Sequence, residues 1–100
     1  MSGYQVPEAR ITRPAKRGFE VSIPDEEGIL LFAFHGRLNE PIVSLRDQTW
    51  AEDIIRPGED ERWTYTNRDV QLKEGDVLYY WTTVRYYGVD YHRMRQSAAL

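Results

Sequence analysis

The sequence predicts an all-β sandwich, on three observations: short runs in which apolar and polar residues alternate, turn residues that bound each run, and about seven such runs in 100 residues. A chain of this length forms one domain and leaves no room for a second core. No internal repeat and no low-complexity tract interrupts the pattern.

Gln5 to Thr12 reads as an edge strand, because Pro7 removes a ladder hydrogen bond and is tolerated mainly at an edge. "GFEVSIP" places Phe19, Val21 and Ile23 on one face. Pro24-Asp25-Glu26-Glu27-Gly28 is a tight connection, with Pro24 fixing φ and Gly28 supplying positive φ. "ILLFAFHG" contains the nearly continuous apolar run Ile29 to Phe34, which marks the most buried strand, ended by Gly36. "LNEPIVSL" is irregular or edge-like around Pro41. "TWAEDII" alternates, with Trp50, Glu52 and Ile54 on one side and Ala51, Asp53 and Ile55 on the other. Arg56 to Asp60 is the clearest turn, Gly58 to Glu61 forms a solvated acidic hairpin loop, and "RWTYT" follows as a strand. "LKEGD" is a second turn, leading into an aromatic strand, and Asp90 to Arg95 forms the last strand. The predicted domain covers residues 4–95, with residues 1–3 a remnant or disordered start and 96–100 a frayed tail.

Composition excludes several functions. The formal net charge of -3 and pI near 5.3 argue against a phosphate-binding surface, so no nucleic-acid partner is expected. With no Cys there are no disulfides, no thiol catalysis and no Cys-ligated zinc. His35 and His92, the two histidines, lie far apart in sequence, so no metal and no cofactor is expected; His35 reads as a satisfied strand-end histidine. No apolar run is long enough to span a bilayer, and no signal peptide is present in this chain.

The aromatic strand "DVLYYWTTVRYYGVDYHR" divides by alternation into two sets. Leu78, Tyr80, Thr82 and Val84 can serve the core. Val77, Tyr79, Trp81, Thr83 and Arg85 share the other face, which is hard to bury because an unpaired guanidinium costs several kcal/mol in a core. Trp81 therefore belongs on an open sheet face. An indole among hydrogen-bonding neighbours suits a sugar, whose apolar C–H side lies on the ring while polar side chains take its hydroxyls. Trp50 and Trp63 read as core residues. The alternation alone also admits the reverse, with Trp81 in the core and Tyr80 outside.

The segments "FEVSIPDEEGILLFAFHGRLNEP", "TWAEDI", "RWTY" and "LKEGDVLYYWTTV" resemble the N-terminal domain of insect β-1,3-glucan recognition proteins, also called Gram-negative-bacteria-binding proteins. The resemblance covers roughly Tyr4 to His92, and "VSIPDEEG", "LFAFHG" and "YYWT" together are specific. It implies an immunoglobulin-like sandwich of carbohydrate-binding module family 39. The implied ligand is β-1,3-glucan, preferentially as the triple helix. The resemblance further implies secretion into haemolymph and a role upstream of the Toll and prophenoloxidase serine-protease cascades, with self-association on the polymer.

The family's glucan face uses an aspartate in the motif matching "WAED", the tryptophan of "YYWT" and an arginine just after a tyrosine near the domain's end. These fall on Asp53, on Trp81 and on the position after Tyr91, which here is His92, with Arg93 one place later. If the register is kept, His92 takes the arginine's place and Arg93 points to the opposite face; a small bulge would instead bring Arg93 round. Tyr79 and Thr83 are flanking contacts, from sharing Trp81's face.

A glycosidase needs two carboxylates facing each other roughly 5–10 Å apart. Asp25, Glu26 and Glu27 sit in a turn and Asp53 lacks a partner, so the expected function is non-enzymatic binding. The alternatives are a protein-interaction module, since Tyr and Trp are enriched at interfaces, and a binder of bacterial envelope polysaccharide that has lost β-1,3-glucan affinity.

Overall fold

The computed structural model describes residues 3–100 and forms the expected sandwich of two antiparallel sheets. Its seven strands are β1 (Arg10–Thr12), β2 (Phe19–Pro24), β3 (Ile29–Leu38), β4 (Trp50–Ile54), β5 (Arg62–Asn67), β6 (Val77–Tyr86) and β7 (Val89–Ala99). One sheet has the order β1-β2-β5, the other β4-β3-β6-β7. Among the described residues no helix is long and apolar enough to cross a membrane.

Alternation fixes which face each strand buries. Phe19, Val21 and Ile23 of β2, with Trp63 and Tyr65 of β5, meet Phe32 and Phe34 of β3 and Leu78, Tyr80 and Val84 of β6 between the sheets. Full burial of each such side chain contributes about 1.5–3 kcal/mol. Trp63 is buried as expected, and its Nε1 donates to Asp25 Oδ1 at 2.9 Å. Trp50 is only half-buried, edge-on to Phe19 at 5.3 Å between centroids, because β4 is a sheet edge.

The ends of the chain depart from the sequence reading. Only Arg10–Thr12 of the expected first strand pairs, and it pairs with β2. Upstream of Pro7 the segment lies against the other sheet: Tyr4 stacks on Tyr86 at 3.9 Å, and Val6 O accepts from Arg93 Nη1 at 3.2 Å. Proline's missing N–H marks the crossing. The expected frayed tail is instead the end of β7, whose Gln96–Ala99 pair with Val77–Tyr80, and Leu100 N donates to Asp76 O at 2.9 Å. Its small and polar residues carry little strand signal, so pairing rather than propensity extends the strand. Of the three residues expected ahead of the domain, the first two lie outside the described residues. The acidic loop is exposed, but it joins β4 to β5 across the sandwich and is no hairpin.

Candidate functional site

The outer face of the four-stranded sheet is organised in cross-strand rows. In one row Asp53 (β4), Ala33 (β3), Thr83 (β6) and His92 (β7) are successive register partners. In the next row Ala51, His35 and Trp81 align, and β7 places two residues, Met94 and Arg95, opposite Trp81. Beyond these, Arg37, Tyr79 and Ser97 form a third row. On the opposite side Leu31, Arg85 and Asp90 form a fourth, closed by an ion pair between Arg85 Nε and Asp90 Oδ1 at 2.9 Å.

Leu78, Tyr80, Thr82 and Val84 are all buried, as alternation predicts, while Trp81 and Tyr79 on the other face are partly open and Thr83 beside them is buried. The indole does not lie open on both sides, however. His35 stacks on it with centroids 3.6 Å apart and planes 7° apart. Because His35 stands on β3, the free face of Trp81 looks toward β7. There His92 meets it edge-on at 6.0 Å and 66°. Among the described residues Trp81 Nε1 and His35 Nδ1 are both covered and find no partner of ordinary hydrogen-bond geometry, so packing holds the pair. Burial pushes the His35 pKa down and His92 adds to the push, while the Trp81 backbone and the Asp53 carboxylate act in the opposite direction.

Asp53 and His92 are exposed at the two margins of their row. His92 Nδ1 lies 2.8 Å from Thr83 Oγ1. When the hydroxyl donates, the ring proton sits on Nε2, which is then the donor left for a ligand. Thr83 itself is only 7% exposed and its hydroxyl is engaged, so it positions His92 and is not an open contact surface. Arg93 is also not on this face. It pairs with Thr82, on the core side of β6, and its guanidinium donates to Val6 O and to Gln96 Oε1 at 3.1 Å. A bulge does occur in β7, but one residue too late to bring Arg93 round.

Beside Trp81 and Tyr79 runs a groove of about 490 Å³, lined also by Val43, Leu45, Met94 and Arg95. The 41–45 segment is tied down by Asp47, whose Oδ2 accepts from Val43 N at 3.1 Å and Ser44 N at 2.9 Å. Those two bonds, that to Ser44 first, hold the Asp47 carboxyl below its usual range. Among the described residues no group of three or more His, Cys, Asp or Glu side chains is placed to hold a metal.

The CBM39 family model, described as "Carbohydrate binding domain (family 32)", matches residues 5–100. The chain belongs to the CBM39 family. This CBM39 domain is 55% identical over 91 residues to "Gram-negative bacteria-binding protein 3" of Drosophila melanogaster, covering 91% of this chain and 18% of that protein. It is 46% identical to the "Beta-1,3-glucan-binding protein" of Tenebrio molitor, covering 84% of this chain and 17% of the relative. With "Beta-1,3-glucan-binding protein 2" of Manduca sexta the identity is 40%, covering 90% and 18%. The chain thus spans under a fifth of the length of these relatives. The solved structure "Crystal structure of Br derivative BhCBM56" superposes on the CBM39 domain with a TM-score of 0.66 over 97% of each chain, at 15% identity, a likeness of fold alone.

Two contributors to the face escape the sequence reading. His35 lies inside β3, where its ring covers Trp81; it is not a satisfied strand-end residue. Its alternation with Leu31 and Ala33 was the available signal, but the apolar run hides it. The Met94–Arg95 bulge leaves no mark in composition, because nothing about the pair Met-Arg announces a left-handed residue.

Proposed function

We propose that this chain is a non-catalytic β-1,3-glucan-binding module, serving as a secreted pattern-recognition receptor in insect innate immunity. The observation that supports this most is the row across the open sheet, with the Asp53 carboxylate at one margin, the His92 imidazole at the other and the Trp81 indole between them in the adjoining row. Three strand spacings separate the margins, roughly 14 Å. A single sugar ring does not reach both, whereas a polymer or a bundle of chains does.

A rigid triple-helical glucan fits such a face without the cost of ordering a flexible single chain. Repeats along the polymer let many modules dock side by side, which gives avidity and gathers downstream protease-cascade components. The names of the relatives support the ligand class. Against catalysis stands the placing of the carboxylates: Asp53 on β4 and Asp90 on β7 lie at opposite margins, and Asp90 is engaged by Arg85. That separation exceeds the roughly 5–10 Å at which paired glycosidase carboxylates work.

The test is co-sedimentation with insoluble β-1,3-glucan, comparing wild type with Trp81→Ala and using cellulose and a Gram-negative envelope polysaccharide as control polymers. Wild type is expected to pellet with the glucan and the variant to stay soluble. A folded wild type that remains in the supernatant defeats the proposal.

A further inference from the structure

We infer that Arg95, carried outward by the bulge in β7, is a ligand-binding residue that grips the hydroxyls of a polysaccharide lying in the groove beside Trp81. The inference rests on the glucan reading above and extends it by a residue that neither the motifs nor the matched positions name.

Four observations converge on this side chain. The register of β6 with β7 runs from Tyr80↔Gln96 to Thr82↔Arg93, so Met94 and Arg95 together face the single residue Trp81. Arg95 has φ 56, a left-handed conformation that glycine takes freely and that a long side chain rarely adopts. A residue held there at the edge of a site points to function when the local fold would be better served by glycine.

Its guanidinium is also free. On the same sheet Arg37 is paired with Glu40, Arg85 with Asp90, and Arg93 with Val6 and Gln96. Among the described residues Arg95 makes no side-chain hydrogen bond and no ion pair, and it is exposed, in a chain whose net charge is -3. Finally, it lines the groove together with Trp81 and Tyr79.

The chemistry follows from the arrangement. The free indole face and Met94 offer apolar surface to the C–H side of a sugar ring. Val43, 90% exposed, and Leu45, 60% exposed, add apolar lining to the same groove. Arg95 supplies a fork of N–H donors that meets two neighbouring hydroxyl oxygens without needing an anion. A neutral polyhydroxyl chain fits this combination.

Arg95→Gly tests the inference cleanly, because it removes the side chain and relieves the left-handed backbone together. The variant is expected to melt at or above the wild-type temperature while binding insoluble β-1,3-glucan about tenfold more weakly, the loss expected for a charge-assisted hydrogen bond. Arg95→Lys, which keeps the charge but not the fork, is expected to fall between. If wild type binds and Arg95→Gly binds within about twofold of it, Arg95 has no part in the site and the glucan reading survives. If wild type itself fails to bind, the glucan reading fails and the inference with it.

Discussion

The imidazole of His35 lies flat against the indole of Trp81, 3.6 Å between centroids and 7° between planes, and the two residues are register partners on β3 and β6. The stack fixes the tilt of the one tryptophan on the outer face and leaves it a single working side.

His35→Ala is therefore expected to weaken glucan binding without abolishing it. Aromatic pairs contribute about 0.5–1.5 kcal/mol beyond area burial, so the loss is roughly two- to tenfold in affinity. His35→Phe is expected to restore most of it. Titration calorimetry with a soluble β-1,3-glucan measures both, and an alanine variant with undiminished affinity shows that the stack does not orient Trp81.

The same stack makes the fold sensitive to mild acid. Burial holds the His35 pKa below its ordinary 6.5, so the unfolded chain takes up the proton first as pH falls. The contribution is complete above pH 6.5 and declines as pH drops toward the folded pKa. Urea midpoints of wild type are expected to fall between about pH 7 and pH 5 more than those of His35→Gln. NMR titration of the imidazole should give a midpoint under 6.5; a midpoint above it contradicts the burial argument.

Arg93 and His92 are neighbours in sequence with opposite duties. Arg93→Ala removes the anchor of the N-terminal segment at Val6 O and is expected to cost about 1–3 kcal/mol in stability while leaving affinity unchanged. His92→Ala is expected to do the reverse. Thermal melts and polymer binding on the same two preparations separate the roles.

Thr83→Val keeps shape at a nearly closed position while removing the hydroxyl beside His92 Nδ1. Stability is expected to change by about 1 kcal/mol or less. The nitrogen-15 shifts of His92 should move from one dominant tautomer toward a mixture, with weaker glucan binding. Unchanged shifts refute the positioning role.

Gly36→Ala tests the inner face of β3. A Cβ there would stand 2.4 Å from Phe34 Cζ and 3.3 Å from Leu78 Cδ1, inside the packed core. About 1–3 kcal/mol of destabilisation is expected from such overpacking, read as a lower melting temperature.

The strand pattern was legible where one face is apolar and the other is not. In β2, β5 and β6 the period of two settles both the element and its inward residues, and the awkwardness of burying Arg85 beside it puts Trp81 on the open face. What alternation cannot supply is pairing. The extension of β7 to Ala99, the turn of the N-terminal segment at Pro7 and the Met94–Arg95 bulge all depend on which strand lies alongside, a property of the assembled sheet. The open face was legible in part for the same reason. Asp53, Trp81 and His92 follow from motif positions, whereas the distance of Arg93 from them follows from a register that only the β6–β7 ladder sets. His35 was hidden by its surroundings, since a histidine closing an apolar run looks like a terminus until the strand is seen to continue to Leu38.

The row from Asp53 to His92 has a carboxylate at one end and an imidazole at the other, and so it has a direction. Turned end for end, the face no longer coincides with itself: the carboxylate would meet what the imidazole met. On the proposed glucan reading, a polymer strand laid along the row and differing chemically at its two ends would be read with a sense as well as a composition. Modules seated along one such strand would all point the same way, giving a parallel file instead of a random scatter.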